Sequence, residues 1–253
     1  SGVIMKPVFA LARKAPKRVI YAEGEDERVL RAAQAVLEDG IAQPVLIGRP
    51  AVVETRLKRF GLSIEIGRDL ELVNPEDDPR YRDYVATYLD VAGRKGITPD
   101  IARTLVRTNT TVIAALALAR GEADAMLCGL EGRFSSRIKH IEDIVGLAPG
   151  VRALSAMSLI ITSKGHYFLA DTHVRDDPSA DEIAEMTVMC AEHVRRFGIE
   201  PQIALLADSD FGSADTSSAV KMRKALALIR ERAPSLEVDG EMQADSALPQ
   251  VMR

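Results

Sequence analysis

Arg133, Ser135, Ser136, Arg137 and Lys139 fall in one short run, with no acidic residue between Arg133 and His140. If a helix begins near Ser135, its free N–H groups, two hydroxyls and the cations aim at one spot, which suits a phosphate or another anion. The same spacing also fits a solvated basic helix face. A second group lies in the polar loop from Asp208 to Ser218, DSDFGSADTSS, where Ser209, Phe211 and Ser213 precede a helix carrying Lys221, Arg223 and Lys224. This is a second candidate for phosphate. Asp171, His173, Asp176 and Asp177 bring carboxylates and an imidazole close enough in sequence to admit a metal reading. The plainer reading is that Asp171 ends a strand and that Asp176, Asp177 and Pro178 turn the chain before a helix cap at Ser179. No GxGxxG follows a strand, and GxxxxGK[ST], HExxH and paired CxxC are absent, which argues against dinucleotide and ATP sites. His140, His166, His173 and His193 are scattered, with no serine or cysteine nucleophile in a local frame.

The elements that must position these residues alternate between strand and helix. Lys17 to Glu23 reads as a strand, and Asp26 to Asp39 puts Val29, Leu30, Ala33, Val36 and Leu37 on one helical stripe that ends at Gly40. Pro44 to Gly48 is a second strand, and Pro50 opens a helix that stops at Gly61. Ser63 to Ile66 and Leu70 to Val73 are expected as short strands. Arg80 to Arg94 is a helix with Tyr81, Tyr84, Val85, Tyr88 and Leu89 on a core face. Thr98 caps a helix opened by Pro99, and the uniformly apolar run Thr110 to Arg120 must be buried. Asp124 to Cys128, ending at Gly129, reads as a parallel strand covered on both faces, and the ends of such strands border clefts. Gly129 and Gly132 let the backbone turn closely after it.

Beyond Pro149 and Gly150 the pattern changes. Arg152 to Thr162 and His166 to Asp171 form a hairpin, and Ser179 with Glu182 is a capping box for a helix to Phe197, ended by Gly198. Gln202 to Ala207 is an apolar strand, a helix runs from about Ala219 to Arg232, and Leu236 to Val238 begins a further strand. The organisation expected is a scar and lead-in segment over 1–16, a first α/β lobe over 17–148, and a second, incomplete α/β lobe over 149–253. The helix after Ser179 carries Ile183, Met186, Val188, Met189, Ala191 and Val194, more than one side of a sheet needs, so Met186 and Met189 could serve a partner surface or a core.

At 253 residues and 47% hydrophobic content the chain can bury a substantial core. Its 33 basic and 37 acidic residues give a net charge of −4, so any anion site is local and nothing points to nucleic acid or an anionic membrane. The apolar runs are shorter than the ~20 residues of a membrane span, and the start SGVIMKPVF lacks a signal core, which gives a cytoplasmic expectation. Cys128 and Cys190 are expected as buried free thiols.

YAEGEDERVLRAA, PVLIG, the RKGITP passage, GEADAMLCG, IVGLAPGV, ADTHVRDDPSADEIAEM, FGIEPQIALL and LEVDGEMQADSAL together resemble the phosphate acetyltransferase and butyryltransferase family over nearly the whole chain. CGLEGRF, GLAPGVRALSAMSLI and DFGSADTSSAVKMRKALALIRERAPSLEVDGEM are most similar to the acetyltransferase-like domain at the carboxyl end of bacterial NADP-dependent malic enzymes. The resemblance implies two three-layer α/β/α lobes like those of isocitrate dehydrogenase, with acetyl-CoA as ligand and effector, a homodimer or higher homo-oligomer, and an N-terminal malic enzyme catalytic domain as partner. It implies NADP and a divalent metal, Mg or Mn, for the parent's oxidative decarboxylation of malate to pyruvate, and no cofactor in this chain. The competing implication is an active phosphate acetyltransferase. Active members share an arginine on the helix after the central strand, where this sequence has Lys139. They share another ahead of the KG of the RKGITP passage, which counting back from Lys95 and Gly96 puts at Ala92. Both differences imply a weakened acyl-phosphate clamp and a regulatory module without catalytic residues.

Overall fold

The computed structural model describes residues 2–248, so Ser1 of the expected scar and 249–253 of the expected second lobe lie outside the described residues. The described chain forms two compact units, one over 6–146 and the other over 147–248 with 2–5. The lead-in is a helix, α1 (Gly2–Lys14), with Ile4 buried.

The first unit is built on β1 (Lys17–Tyr21), β2 (Ala42–Ile47), β3 (Glu71–Val73) and β4 (Ala125–Leu127), all parallel, in the order β3-β2-β1-β4. Ile20 lies opposite both Val45 and Met126. Because side chains alternate along a strand, Ile20, Val45, Ile47 and Val73 face one core and Tyr21 and Leu46 the other. The first core is covered by α4 (Tyr81–Ala92), α5 (Pro99–Thr108), α6 (Thr110–Ala119) and α7 (Phe134–Ile144), the second by α2 (Glu27–Asp39) and α3 (Pro50–Arg59). Two helical layers therefore sandwich the sheet. A fully buried leucine such as Leu30 contributes about 1.5–3 kcal/mol by leaving water. In α6 every residue from Thr111 to Ala117 is buried, as an all-apolar helix requires, and Tyr84 and Tyr88 put the aromatic stripe of α4 in the same core.

Local signals set the helix ends. Asp26 caps α2 by accepting from the Arg28 amide and Gly40 closes it in the left-handed region, φ 63°, while Thr98 caps α5. Two expectations need correction. Ser63 to Ile66 makes no strand, only an isolated bridge from Ile66 to Leu70. The strand expected to be covered on both faces is an edge strand of this unit, paired with β1 alone, and Leu127 is 53% exposed. A short apolar run looks the same at an edge as in the middle of a sheet.

The second unit holds the antiparallel hairpin of β5 (Met157–Ile161) and β6 (His166–Ala170), and a parallel pair of β7 (Gln202–Leu206) and β8 (Glu237–Met242). The hairpin begins at Met157 rather than Arg152, because 152–156 is coil. α8 (Ala180–Arg195) opens with the Ser179–Glu182 capping box and packs with α9 (Ser217–Arg232) over Leu205 and Val238. Thr216 caps α9, so that helix starts before Ala219. Ile183, Met186 and Ala191 are buried in this core and Val194 is buried too, so Met186 serves the core, whereas Val188 and Met189 are half-buried. A short helix, α10 (Ala244–Ala247), follows β8. Both cysteines are free and half-buried rather than fully buried, and burial raises both thiol pKa values.

Candidate functional site

In the first unit the candidate residues gather where β1 and β4 end. Glu23, just past β1, accepts a hydrogen bond from the Gly129 amide at 3.0 Å, just past β4. It also pairs with Arg137 at 3.1 Å. Arg137 donates in addition to the Thr111 hydroxyl and the Glu131 carbonyl, and its side chain is only 19% exposed. It is therefore a strut linking β1, α6 and the turn before α7, not a free cation. Gly132 beside it takes φ 79°, a left-handed conformation that favours glycine, and a Cβ there would only touch Arg137 Nη2, at 3.4 Å.

The start of α7 is open. Arg133 is the N-cap residue, in extended conformation and without a side-chain cap bond, and Ser135 and Ser136 are exposed in the first turn. Four amides at a helix start lack intrahelical partners and carry the positive end of the dipole. Arg133, Ser135 and Ser136 can thus face an anion together. Lys139 is exposed and pairs with Asp143 at 3.3 Å, and Lys95 reaches the same carboxylate at 3.0 Å. Burial would raise the Asp143 pKa, but the hydrogen bonds from Lys95 and Lys139 outweigh it and hold the carboxyl below its ordinary value. Burial lowers the pKa of His140, so it adds no dependable charge. Ala92, the position counted back from Lys95 and Gly96, is buried in the α4 core, whereas Arg94, which directly precedes Lys95, is exposed.

The second candidate group changes character. Ser209 is 1% exposed and bonded internally, to Glu241 Oε1 at 3.0 Å and Ser213 Oγ at 3.1 Å, while accepting from the Ala214 amide at 3.0 Å. Ser213 accepts from the Asp210 amide at 3.0 Å. Lys221 pairs with Asp177. Arg223, on the first turns of α9, donates to Glu241 Oε1 at 2.8 Å and to Asp215. The hydroxyls of Ser209 and Ser213 are bonded within the loop and to Glu241, Arg223 is held by Glu241 and Asp215 and Lys221 by Asp177, and Asp208, Asp210 and Asp215 in the same loop repel a phosphate. Phe211 faces outward, 62% exposed, and Ser213 is exposed as well.

The metal reading also meets a structural use. The Asp171 carboxylate accepts from the amides of Ala156, His173, Val174 and Arg175, which hold its pKa low against the opposing effect of burial. Among the described residues no group of three or more His, Cys, Asp or Glu is arranged to hold a metal ion. Sequence reasoning missed Glu23 and Glu241. Each could have been flagged as an acidic residue directly at the end of, or inside, a buried strand, where a charge without a partner is costly.

The family model for phosphate acetyl/butaryl transferase matches residues 3–253. The chain is 60% identical to an NAD-dependent malic enzyme of Rhizobium meliloti (strain 1021) and 48% identical to an NADP-dependent malic enzyme of Escherichia coli (strain K12), in each case across 100% of this chain and 33% of the relative. It is 32% identical to the phosphate acetyltransferase of Escherichia coli (strain K12), over 94% of this chain and 33% of that protein. The chain thus spans about a third of the length of these relatives. A crystal structure of a phosphotransacetylase from Streptococcus pyogenes superposes with a TM-score of 0.87 at 26% identity, covering 98% of this chain and 76% of that one. The chain therefore belongs to the phosphate acetyl/butaryl transferase family.

Proposed function

We propose that this chain is the acetyl-CoA-binding regulatory and assembly module of a malic enzyme, acting beside a malate-oxidising domain and without transferase activity of its own. The observation that carries the reading is the end-to-end match to one third of two malic enzymes at 60% and 48%, against 32% for a phosphate acetyltransferase. The relatives are named for NAD and for NADP, so the expected coenzyme of the parent widens from NADP to a nicotinamide dinucleotide, with Mg or Mn as its metal. Loss of transferase activity rests on Lys139 standing where active members have an arginine, because a point charge cannot clamp an acyl phosphate bidentately. Acetyl-CoA engages the open start of α7 through Arg133, Ser135, Ser136 and Lys139.

Self-association as a dimer through the second unit draws support from the hairpin rather than from α8. The face of Leu159 and Phe168 turns inward, where Phe168 packs edge-on against Phe197 at 5.3 Å. Ile160 and Leu169, on the opposite face, are exposed and ready for a second copy. A regulator acts only if its ligand binds two arrangements unequally, and a two-fold contact supplies two discrete arrangements. The deciding experiment uses the full-length protein: malate oxidation with and without acetyl-CoA, together with a coupled assay for acetyl-CoA formation from acetyl phosphate. A several-fold effect of acetyl-CoA on malate oxidation is expected, with no acetyl transfer. Transfer at a common enzymatic turnover of ~10 per second overturns the regulatory reading.

A further inference from the structure

The carboxylate of Asp171 is ringed by main-chain donors from both ends of the β5–β6 hairpin. Oδ1 accepts from the amides of Ala156 at 2.9 Å, His173 at 3.2 Å and Val174 at 3.3 Å, and Oδ2 accepts from the amide of Arg175 at 2.6 Å. Ala156 directly precedes β5 and Asp171 directly follows β6, so one side chain ties the chain entering the hairpin to the chain leaving it. Two further bonds close the same foot. The Thr172 amide donates to the Ala156 carbonyl at 3.3 Å, and the hydroxyls of Ser158 and Thr172 lie 3.0 Å apart. Hydrogen bonds to a carboxylate are stronger than those between neutral groups, and their convergence here fixes the 171–175 turn.

That turn leads to Ser179, which caps α8, and Arg175 pairs with Glu182 in the first turn of the helix at 3.4 Å. The entering chain reaches the same helix through Arg152, which pairs with Asp181 and, at 3.6 Å, with Glu185. Both arginines are largely exposed, 58% and 36%, and pairs of that kind add little in water. The Asp171 foot and the Phe168–Phe197 contact are left to set the direction in which the hairpin leaves α8. Two strands alone are marginally stable, yet the outward face of this pair carries Ile160 and Leu169, 42% and 40% exposed.

We infer that Asp171 is a positioning residue for self-association: it holds the hairpin as a preformed arm whose outward face meets the same face of a second copy. The inference rests on the dimer contact proposed above. Ordering flexible groups on binding subtracts from affinity. Fixing the backbone of one residue lowers an equilibrium constant about five- to thirtyfold. In a two-fold contact both copies must be ordered, so the factor enters twice. Freeing even one residue per copy therefore weakens association about 25-fold or more.

The test is sedimentation velocity of the full-length protein over a concentration series, with amide exchange read on peptides spanning 157–170 in the hairpin and 217–232 in α9. Asp171→Ala should weaken self-association about 25-fold or more and quicken exchange across 157–170, while 217–232 exchanges as in the wild type. Asp171→Glu keeps the charge but displaces it by a methylene; it should behave like Asp171→Ala, and it serves in place of that variant if the alanine protein does not fold. Asp171→Asn keeps Oδ1 for Ala156, His173 and Val174 and should stay near the wild type in both readouts. Unchanged association in Asp171→Ala and Asp171→Glu, or equal weakening in Asp171→Asn, overturns the positioning role. Leu169→Asp checks the contact itself. If Leu169→Asp dissociates the assembly and Asp171→Ala does not, this inference alone falls. If Leu169→Asp leaves the assembly intact, or the wild type is a monomer, the hairpin contact proposed above falls and takes the inference with it.

Discussion

Gly24 directly follows Glu23, the carboxylate that organises the first candidate site, and Gly24→Ala tests both packing and site together. A Cβ at Gly24 would sit 2.6 Å from the Ile47 carbonyl oxygen, 2.8 Å from the Ile47 amide nitrogen and 2.8 Å from Leu46 Cβ. These atoms belong to β2, an interior strand fixed between β1 and β3, so little there can rotate aside. Bringing the contacts to ordinary separations requires the 23–25 turn to shift, and overpacking of this kind costs about 1–3 kcal/mol, with the upper end expected against backbone. Gly40→Ala is the matched control. Its φ is 63° and no atom lies within 4 Å of the added Cβ, so it costs only the left-handed penalty, about 1 kcal/mol. The assay is amide hydrogen exchange in the full-length protein, read at Ile20, Tyr21, Val45 and Leu46, strand amides that exchange only when the unit opens. A loss of 3 kcal/mol accelerates them by about 150-fold and a loss of 1 kcal/mol by about fivefold. Because Glu23 must move with the turn, Gly24→Ala should also weaken acetyl-CoA binding, while Gly40→Ala should not. Exchange in Gly24→Ala no faster than in Gly40→Ala would refute the close approach of the 23–25 turn to β2 and the coupling drawn from it.

In the full-length protein, Arg133→Ala with Lys139→Ala should lower acetyl-CoA affinity at least tenfold by calorimetry without changing the melting temperature, since the Lys139–Asp143 pair is exposed and adds little stability; unchanged affinity removes both residues from the site. Asp26→Ala should destabilise α2 by about 1 kcal/mol through loss of its cap, measured by exchange of the Leu30 amide. The Asp26 carboxyl is lowered to about 2, first by the Arg28 side-chain hydrogen bond. Its folded pKa is depressed, so its contribution is present above the ordinary carboxylate range, near 3.8, and is lost as pH falls toward about 2; a wild-type unit whose stability is flat across that window contradicts the assignment. The Glu241 carboxyl is likewise held low, by Gly212, Ser209 and Arg223 against the opposing effect of burial, so exchange at Gly212 should quicken as pH falls below the ordinary carboxylate range, after correction for intrinsic exchange, and Glu241→Gln should abolish that acid response.

Local chemistry was legible in the sequence by itself. Asp26 and Gly40 bound α2, Thr98 and Pro99 open α5, and Ser179 with Glu182 opens α8, because caps are interactions among neighbours in the chain. The buried run of α6 and the glycine turns after β4 follow from composition in the same way. Only the tertiary structure decided which polar side chains remain free for a ligand. Arg137 read as one of a row of cations, yet it is bound by Glu23, far back in the chain at the end of β1. Ser209 and Arg223 are claimed by Glu241, and Lys221 by Asp177. Spacing within a loop or helix shows which groups could converge, but a long-range partner determines whether they are already satisfied. The edge position of β4 was hidden for the same reason, since pairing on one side or two is a property of the sheet, not of the strand.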